Sequence, residues 1–333
     1  MSTTVVGWGK AIPKNVRSNA EIASMVDTTA EWIFSRTGIR ERRIATEGET
    51  TFTLGRDAAE RALTRARISA ADVDMVIVAT LTPEMPMPAT ASLIQDAIGA
   101  SRAGAFDLNA ACAGFAYGME IARAFIDSGG ARTVLLVGSE TMSRVIDWTD
   151  RSTCVLFGDG AGAVVMQHVD HGGVRASSLG SDGSGSHLLQ IAGGGSRTPV
   201  SKQTIADRLH FLAMDGRKVY KFAVNATASS AATAMAQAGW SPEELDLFIP
   251  HQANVRIIKA ATRRLHLGTD RVFVNADRYG NTSSASIPIA LCEALEQGRV
   301  SPGDRLVLVG FGAGLSWAAV ALEWTMTVPT AAE

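Results

Sequence analysis

The chain has 333 residues, 46% of them hydrophobic, which is material for a large core or two fused ones, so two halves are expected. A formal charge of −2 supplies no global basic field and argues against nucleic acid as a partner, while three widely spaced cysteines, Cys112, Cys154 and Cys292, argue against a disulfide framework and suit free thiols in a reducing cytoplasm. The first ten residues hold no basic stretch followed by an apolar run, and no apolar segment is long enough to span a bilayer, so a soluble, cytoplasmic protein without membrane contact is expected.

In chain order, residues 3–8 read as a strand and Asn19 opens a helix carrying Ile22 and Met25. In the run from Glu31 to Ile39, Trp32 and Arg36 lie four residues apart on a helical turn. Such a pair could clamp a base and a phosphate, or could equally be an aromatic anchor beside a surface arginine; spacing does not separate the two. A helix over 53–66, a buried strand over 74–79 and a stiff loop from Pro83 to Pro88 follow, with the next helix beginning near Thr90. Met85 and Met87 in that loop would form adaptable apolar walls if it lines a cavity.

The stretch from Asp107 to Gly118, Asp-Leu-Asn-Ala-Ala-Cys-Ala-Gly-Phe-Ala-Tyr-Gly, places Cys112 between a short extended segment and a helix. In that helix, residues 113–127, Phe115, Met119, Ile121, Ala122, Phe125 and Ile126 cover nearly the whole circumference, which marks it as buried. A thiol at its first turn meets unpaired N–H groups and the positive end of the helix dipole; both favour thiolate, and the same N–H groups could hold an oxyanion. Ala110, Ala111, Ala113 and Gly114 leave room for a tight turn and a close substrate, the logic of a nucleophile elbow built on sulfur.

Beyond it, 133–137 reads as a strand, and 151–165 as a loop and strand around Cys154, taken as a structural thiol. His168 and His171 share a polar loop without metal-site spacing, no Cys-x-x-Cys pair occurs, and no catalytic metal is expected. The glycine runs 158–162 and 310–314 fit neither phosphate-loop nor dinucleotide spacing and read as close backbone approaches. Residues 168–203 turn rich in Gly, Ser and His, the pattern of a connection between halves, which divides the chain into 1–170 and 171–333.

The second half repeats the first at a constant offset of 172 residues (281 − 109): Asn109 finds Asn281, Asp74 finds Asp246 and Gly138 finds Gly310, while Ala59, Ala62 and Ala66 find Ala231, Ala234 and Ala238. A duplicated α/β unit about a pseudo-twofold axis follows. Cys112 maps onto Ser284, so the nucleophile exists once; His251 stands opposite Ala79 at a strand end, and Asn281 lies in the turn equivalent to that of Cys112. Both turns should meet near the axis, which makes Cys112, His251 and Asn281 a candidate catalytic set.

These segments, together with His251-Gln252-Ala253-Asn254, Gly280-Asn281-Thr282-Ser283, the closing run from Gly310 to Trp317, and Glu31-Trp32-Ile33 with Arg36-Thr37-Gly38-Ile39, resemble the thiolase-fold condensing enzymes, most closely the 3-oxoacyl-[acyl-carrier-protein] synthase III family, over essentially the full length. The resemblance implies duplicated α/β halves in five αβαβα layers and a Cys-His-Asn plan, since Ala313 and no cysteine stands in the closing motif. It implies decarboxylative condensation of an acyl-CoA with malonyl-[acyl-carrier protein] through an acyl-Cys112 intermediate, with the oxyanion on the N–H groups of Cys112 and Ala313 and with no cofactor. It further implies that Trp32, Arg36, Arg151 and Asn254 hold CoA, that Lys221, Arg256, Arg263 and Arg264 meet the carrier protein, and that the protein is a homodimer whose Met87 loop closes the partner's acyl pocket. A natural-product relative using the same triad is the alternative, and a non-catalytic partner subunit, which would be expected to lose the nucleophile, is the more distant one.

Overall fold

The computed structural model describes residues 2–326. Two sheets carry the fold. The first has strands β1 (Ser2–Ala11), β2 (Met75–Ala79), β3 (Gly104–Leu108), β4 (Thr133–Thr141) and β5 (Asp159–Val169), in the spatial order β1-β5-β4-β2-β3. The second has β6 (Gly173–Ser181), β7 (Leu247–Pro250), β8 (Arg305–Gly312) and β9 (Ser316–Glu323), in the order β7-β8-β9-β6. Pairing repeats as well: β2 runs parallel to β4 and β4 antiparallel to β5, as β7 runs parallel to β8 and β8 antiparallel to β9. Where β3 pairs with β2, the second half keeps only the parallel bridge between Phe248 and Val272.

The layers follow from two periodicities. Along β4, Val134 and Leu136 face one core and Leu135 and Val137 another; along β8, Leu306 and Leu308 face inward and Val307 and Val309 outward. The inner core holds helices α2 (Gly114–Asp127) and α4 (Ser286–Glu296), and the outer faces are covered by α1 (Thr51–Ala66) and α3 (Gly216–Ala238). α1 is amphipathic, burying Leu54, Ala58, Ala59, Ala62 and Leu63. In α4 every residue from Ser286 to Leu295 is buried, because both of its sides meet a sheet or a neighbouring helix. Each of its fully enclosed Ile and Leu side chains contributes about 1.5–3 kcal/mol. The outcome is the five-layer αβαβα arrangement.

Glycines let the halves interlock. A Cβ on Gly138 of β4 would stand 2.7 Å from the Ser284 carbonyl oxygen, and one on Gly310 of β8 would stand 2.7 Å from Ala113 Cα and 3.0 Å from the Cys112 carbonyl oxygen. Each half therefore opens a strand to admit the turn of the other.

Three local expectations need correction. Residues 168–203 are not a bare connection: β6 pairs with β9, and Leu189–Ile191 pairs with Leu212–Met214. The first is rich in Gly and Ser and the others are three residues long, so their order comes from a partner's backbone and leaves no apolar periodicity to read. Cys154 ends a short helix, Arg151–Cys154, capped by Asp150, and does not lie in a strand. The helix from Asn19 stops at Ala23, leaving Met25 outside it and exposed. No helix among the described residues is long and apolar enough to cross a membrane.

Candidate active site

The nucleophile turn is built by its own backbone. After β3, Asn109 Oδ1 accepts a hydrogen bond from Ala111 N–H at 3.2 Å, and Ala111 takes φ = +47°, a left-handed conformation that costs a Cβ-bearing residue. Cys112 follows in a single 3₁₀ turn, Ala111–Ala113, that leads into α2. The second half repeats the device: Asn281 Oδ1 accepts from Ser283 N–H at 2.8 Å, and Ser283 has φ = +50°. The two turns meet where Cys112 Sγ–H donates to Ser283 Oγ at 3.4 Å.

Burial governs the electrostatics. Cys112 is 5% exposed, and desolvation, with a smaller contribution from the Glu140 charge, pushes its thiol up to about 12 against the opposing pull of the Ser283 hydroxyl and its own N–H. The expectation that the helix terminus favours thiolate is thereby reversed in the free site: removing the sulfur from water outweighs what those donors return. Behind the turn, Glu140 near the end of β4 is fully buried, and its carboxylate accepts from Thr82 Oγ1 at 2.6 Å, Ser284 Oγ at 2.8 Å and Ser283 Oγ at 2.9 Å. Burial raises its pKa. This group ties the second-half turn to the first-half sheet; a lone glutamate in a Gly-Ser-Glu-Thr run carries no sequence signal for that role.

His251 follows β7 directly. Its ring is 1% exposed, lies edge-on to Phe311 with centroids 5.0 Å apart, and places Nδ1 2.6 Å from Ser286 Oγ. Desolvation lowers its pKa to about 3, so the imidazole is neutral. Gln252 pins the loop from both ends of its amide, donating to the carbonyls of Pro250 and Phe273 and accepting from the N–H groups of Asn275 and Ala276. Asn254 caps the helix Val255–Arg264 through its Oδ1, while its Nδ2 donates to the Arg36 carbonyl at 3.3 Å.

Cys112, His251, Asn281, Asn254 and Ala313 line one cavity of about 330 Å³. Its walls are largely apolar, including Leu189, Ile191, Leu212, Met214 and Phe222, and among the described residues no Asp, Glu, Lys or Arg lines it. A thiol, a neutral imidazole and a carboxamide facing an uncharged cavity can form a thioester and can donate hydrogen bonds to a developing oxyanion.

Family models for 3-oxoacyl-[acyl-carrier-protein] synthase III and for its C-terminal part match residues 106–183 and 235–324. A beta-ketoacyl-[acyl-carrier-protein] synthase III from Roseiflexus sp. is 50% identical over 322 residues, covering 96% of this chain and 98% of its own. The chain belongs to the beta-ketoacyl-[acyl-carrier-protein] synthase III family. The synthase III crystal structure from Aquifex aeolicus superposes with a TM-score of 0.90 at 44% identity, covering 97% of this chain and 100% of the other. The priming beta-ketosynthase of the R1128 polyketide biosynthetic pathway superposes with a TM-score of 0.92 at 40% identity, covering 98% and 97%.

Within this synthase III framework the remaining sequence-derived residues fall into three groups. Arg151 stands over the Trp32 ring at 5.2 Å, and Arg36 is joined through its carbonyl to Asn254; of these four, Asn254 lines the cavity. Lys221, Arg263 and Arg264 line a second, open basic depression with Arg217 and Lys218, and Arg256 sits over the Tyr220 ring at 5.8 Å. Tyr220 borders both cavities, joining the basic surface to the catalytic one. Met87, expected to reach a partner subunit's pocket, is 85% exposed and does not line the cavity of its own chain. Leu189, Ile191, Leu212 and Met214 were missed as lining residues, since they belong to the segment read as a connection and the one after it.

Proposed function

We propose that the chain catalyses the decarboxylative Claisen condensation of an acyl-CoA starter with malonyl-[acyl-carrier protein], giving the 3-oxoacyl-[acyl-carrier protein] that initiates type II fatty acid synthesis. The observation that carries this reading is the convergence of Cys112, His251 and Asn281 on one uncharged cavity. Cys112 Sγ attacks the acyl-CoA carbonyl, the oxyanion rests on the N–H groups of Cys112 and Ala313, and CoA leaves with the thiol proton. The malonyl thioester then presents its carbonyl oxygen to His251 and Asn281. Carbon dioxide departs, the enolate is held by these two neutral donors, and its carbon attacks the acyl-Cys112 carbonyl, returning the cysteine sulfur as leaving group.

Because decarboxylation generates the carbanion, the sequence of steps calls for no base able to remove a carbon-bound proton and draws on no metal or redox cofactor. Trp32, Arg36, Arg151 and Asn254 hold CoA by stacking and phosphate contact, and Lys221, Arg256, Arg263 and Arg264 receive the acidic carrier protein. The working form in this reading is a cytoplasmic homodimer in which the exposed Met87 reaches the partner subunit's pocket. The likeness to the R1128 priming synthase keeps a natural-product condensation as the second reading.

Incubation with carbonyl-labelled acetyl-CoA followed by malonyl-[acyl-carrier protein] tests the proposal. Label should appear on Cys112 and pass to a 3-oxoacyl carrier protein. Label that never reaches the protein, or that leaves it only on to an amine or hydroxyl acceptor, overturns it.

A further inference from the structure

We infer that Ser286 is a positioning residue that holds His251 as the Nε2–H tautomer, so that His251 enters the reaction as a hydrogen-bond donor and not as a base. The inference rests on the condensation reading above and deepens it, but the proton assignment comes from geometry that is independent of any substrate.

One proton lies between His251 Nδ1 and Ser286 Oγ, 2.6 Å apart and both buried. Either atom can donate in isolation, so the decision falls to the other neighbours of the hydroxyl. The backbone N–H of Gln252 points at the same Oγ from 3.3 Å, and a backbone N–H can only donate. Ser286 Oγ is therefore already an acceptor, and its own proton needs a destination. Among the described residues the one acceptor within hydrogen-bond distance of this hydroxyl is His251 Nδ1. With Nδ1 protonated instead, Oγ would accept twice and its proton would be buried without a partner, which disfavours that arrangement by roughly tenfold or more.

The surroundings exclude the usual third state. Among the described residues no carboxylate lines the cavity to hold an imidazolium: its titratable side chains are Cys112, Tyr220 and His251 itself, and the ring also packs against Phe311. Nδ1 thus accepts, and the proton sits on Nε2, which has no hydrogen-bond partner among the described residues and belongs to a ring that lines the cavity. Asn281 is oriented by the same logic, because Ser283 N–H occupies its Oδ1 and leaves the Nδ2 protons for the cavity. Two donors of fixed polarity result.

The duplication supplies an independent observation. At the offset of 172, Ser286 corresponds to Gly114 and His251 to Ala79. In the first half those two positions also touch, a Cβ on Gly114 falling 3.2 Å from Ala79 Cβ. The serine and the histidine therefore occupy one pair of contacting positions, and the polar pair is present only in the half that holds the donors.

The test reads the proton directly. Two-bond proton–nitrogen correlation spectra of the whole enzyme labelled with ¹⁵N-histidine, with the His251 signals assigned by their loss in His251→Gln, should show an unprotonated Nδ1 and a protonated Nε2 at pH 7. A protonated Nδ1 overturns the inference, whatever the activity. In Ser286→Ala the His251 signals should move toward a mixture of tautomers, and carbon dioxide release from malonyl-[acyl-carrier protein] should fall at least tenfold more than acylation of Cys112, with Ser286→Thr restoring both. Equal losses in the two half-reactions with unmoved His251 signals would show a merely structural serine and overturn it. If Ser286→Ala does not fold, the wild-type spectrum alone decides. Failure of the condensation reading would look different: the Nε2–H tautomer would stand, and the wild type would release no carbon dioxide.

Discussion

Replacing Asn281 separates the two half-reactions. Its Nδ2 donor is assigned to the malonyl thioester oxygen, and loss of one such donor costs about 3 kcal/mol, on the order of a hundredfold in rate. The same amide does a second job, because its Oδ1 accepts from Ser283 N–H at 2.8 Å in a site only 6% exposed. Asn281→Ala leaves that N–H buried without an acceptor, so about 1–3 kcal/mol of stability should go as well. Asn281→Asp keeps the acceptor and replaces the donor with a charge that repels the enolate; its turn should stay closer to native while decarboxylation falls further than in the alanine variant. Release of labelled carbon dioxide from malonyl-[acyl-carrier protein] measures one step, and intact mass of the acylated protein measures the other. The reasoning is refuted if Asn281→Ala fails to form acyl-Cys112 yet still releases carbon dioxide at the wild-type rate.

Three further outcomes are expected. Cys112 should be the only cysteine acylated, because it lines the cavity whereas Cys154 and Cys292 are buried outside it; label retained in Cys112→Ala, mapped by peptide mass, would contradict this. The buried neutral His251 should make stability fall in acid: below pH 6.5 the unfolded chain binds a proton that the folded chain refuses until about pH 3, so the contribution is fully present above 6.5 and about 3 kcal/mol of it is gone two units lower. Urea titrations at pH 7 and 4.5 should show that extra loss in the wild type and not in His251→Gln; equal losses would refute it. Finally, an unbranched, adaptable methionine at position 87 should admit starters longer than acetyl, and Met87→Phe should narrow kcat/KM across acetyl-, butyryl-, isobutyryl- and hexanoyl-CoA toward acetyl. A steep fall from acetyl onward that Met87→Phe leaves unchanged, or a monomer by sedimentation, would sink the proposal that Met87 closes a partner's pocket.

The duplication and the grouping of Cys112, His251 and Asn281 around one cavity were legible in the sequence because each has a local signature that repeats, while the layer order was implied by the family resemblance. Cys112 stands in a small-residue turn before an all-round apolar helix, and the offset of 172 carries that turn to Asn281 and carries the strand end of Ala79 to His251. The unbroken apolar runs Val134 to Val137 and Leu306 to Val309 announce strands buried on both faces. Polarity of individual groups was not legible. The helix terminus at Cys112 suggested a thiolate, yet only the assembled site shows how completely the sulfur is desolvated and that Glu140, 28 residues along the chain (140 − 112), bears on it from behind. Nor does any spacing reveal that Gln252 N–H and His251 Nδ1 both meet the Ser286 hydroxyl, since that contact depends on where α4 crosses the end of β7. The Gly- and Ser-rich strand at 173–181 and the three-residue strand at 189–191 escaped for a related reason: their order comes from backbone pairing with β9 and with Leu212–Met214, and not from a pattern in their own side chains. Periodicity reports which face of an element is buried, whereas protonation, hydrogen-bond direction and cavity walls depend on what lies across the interface, and only the tertiary structure brings those groups together.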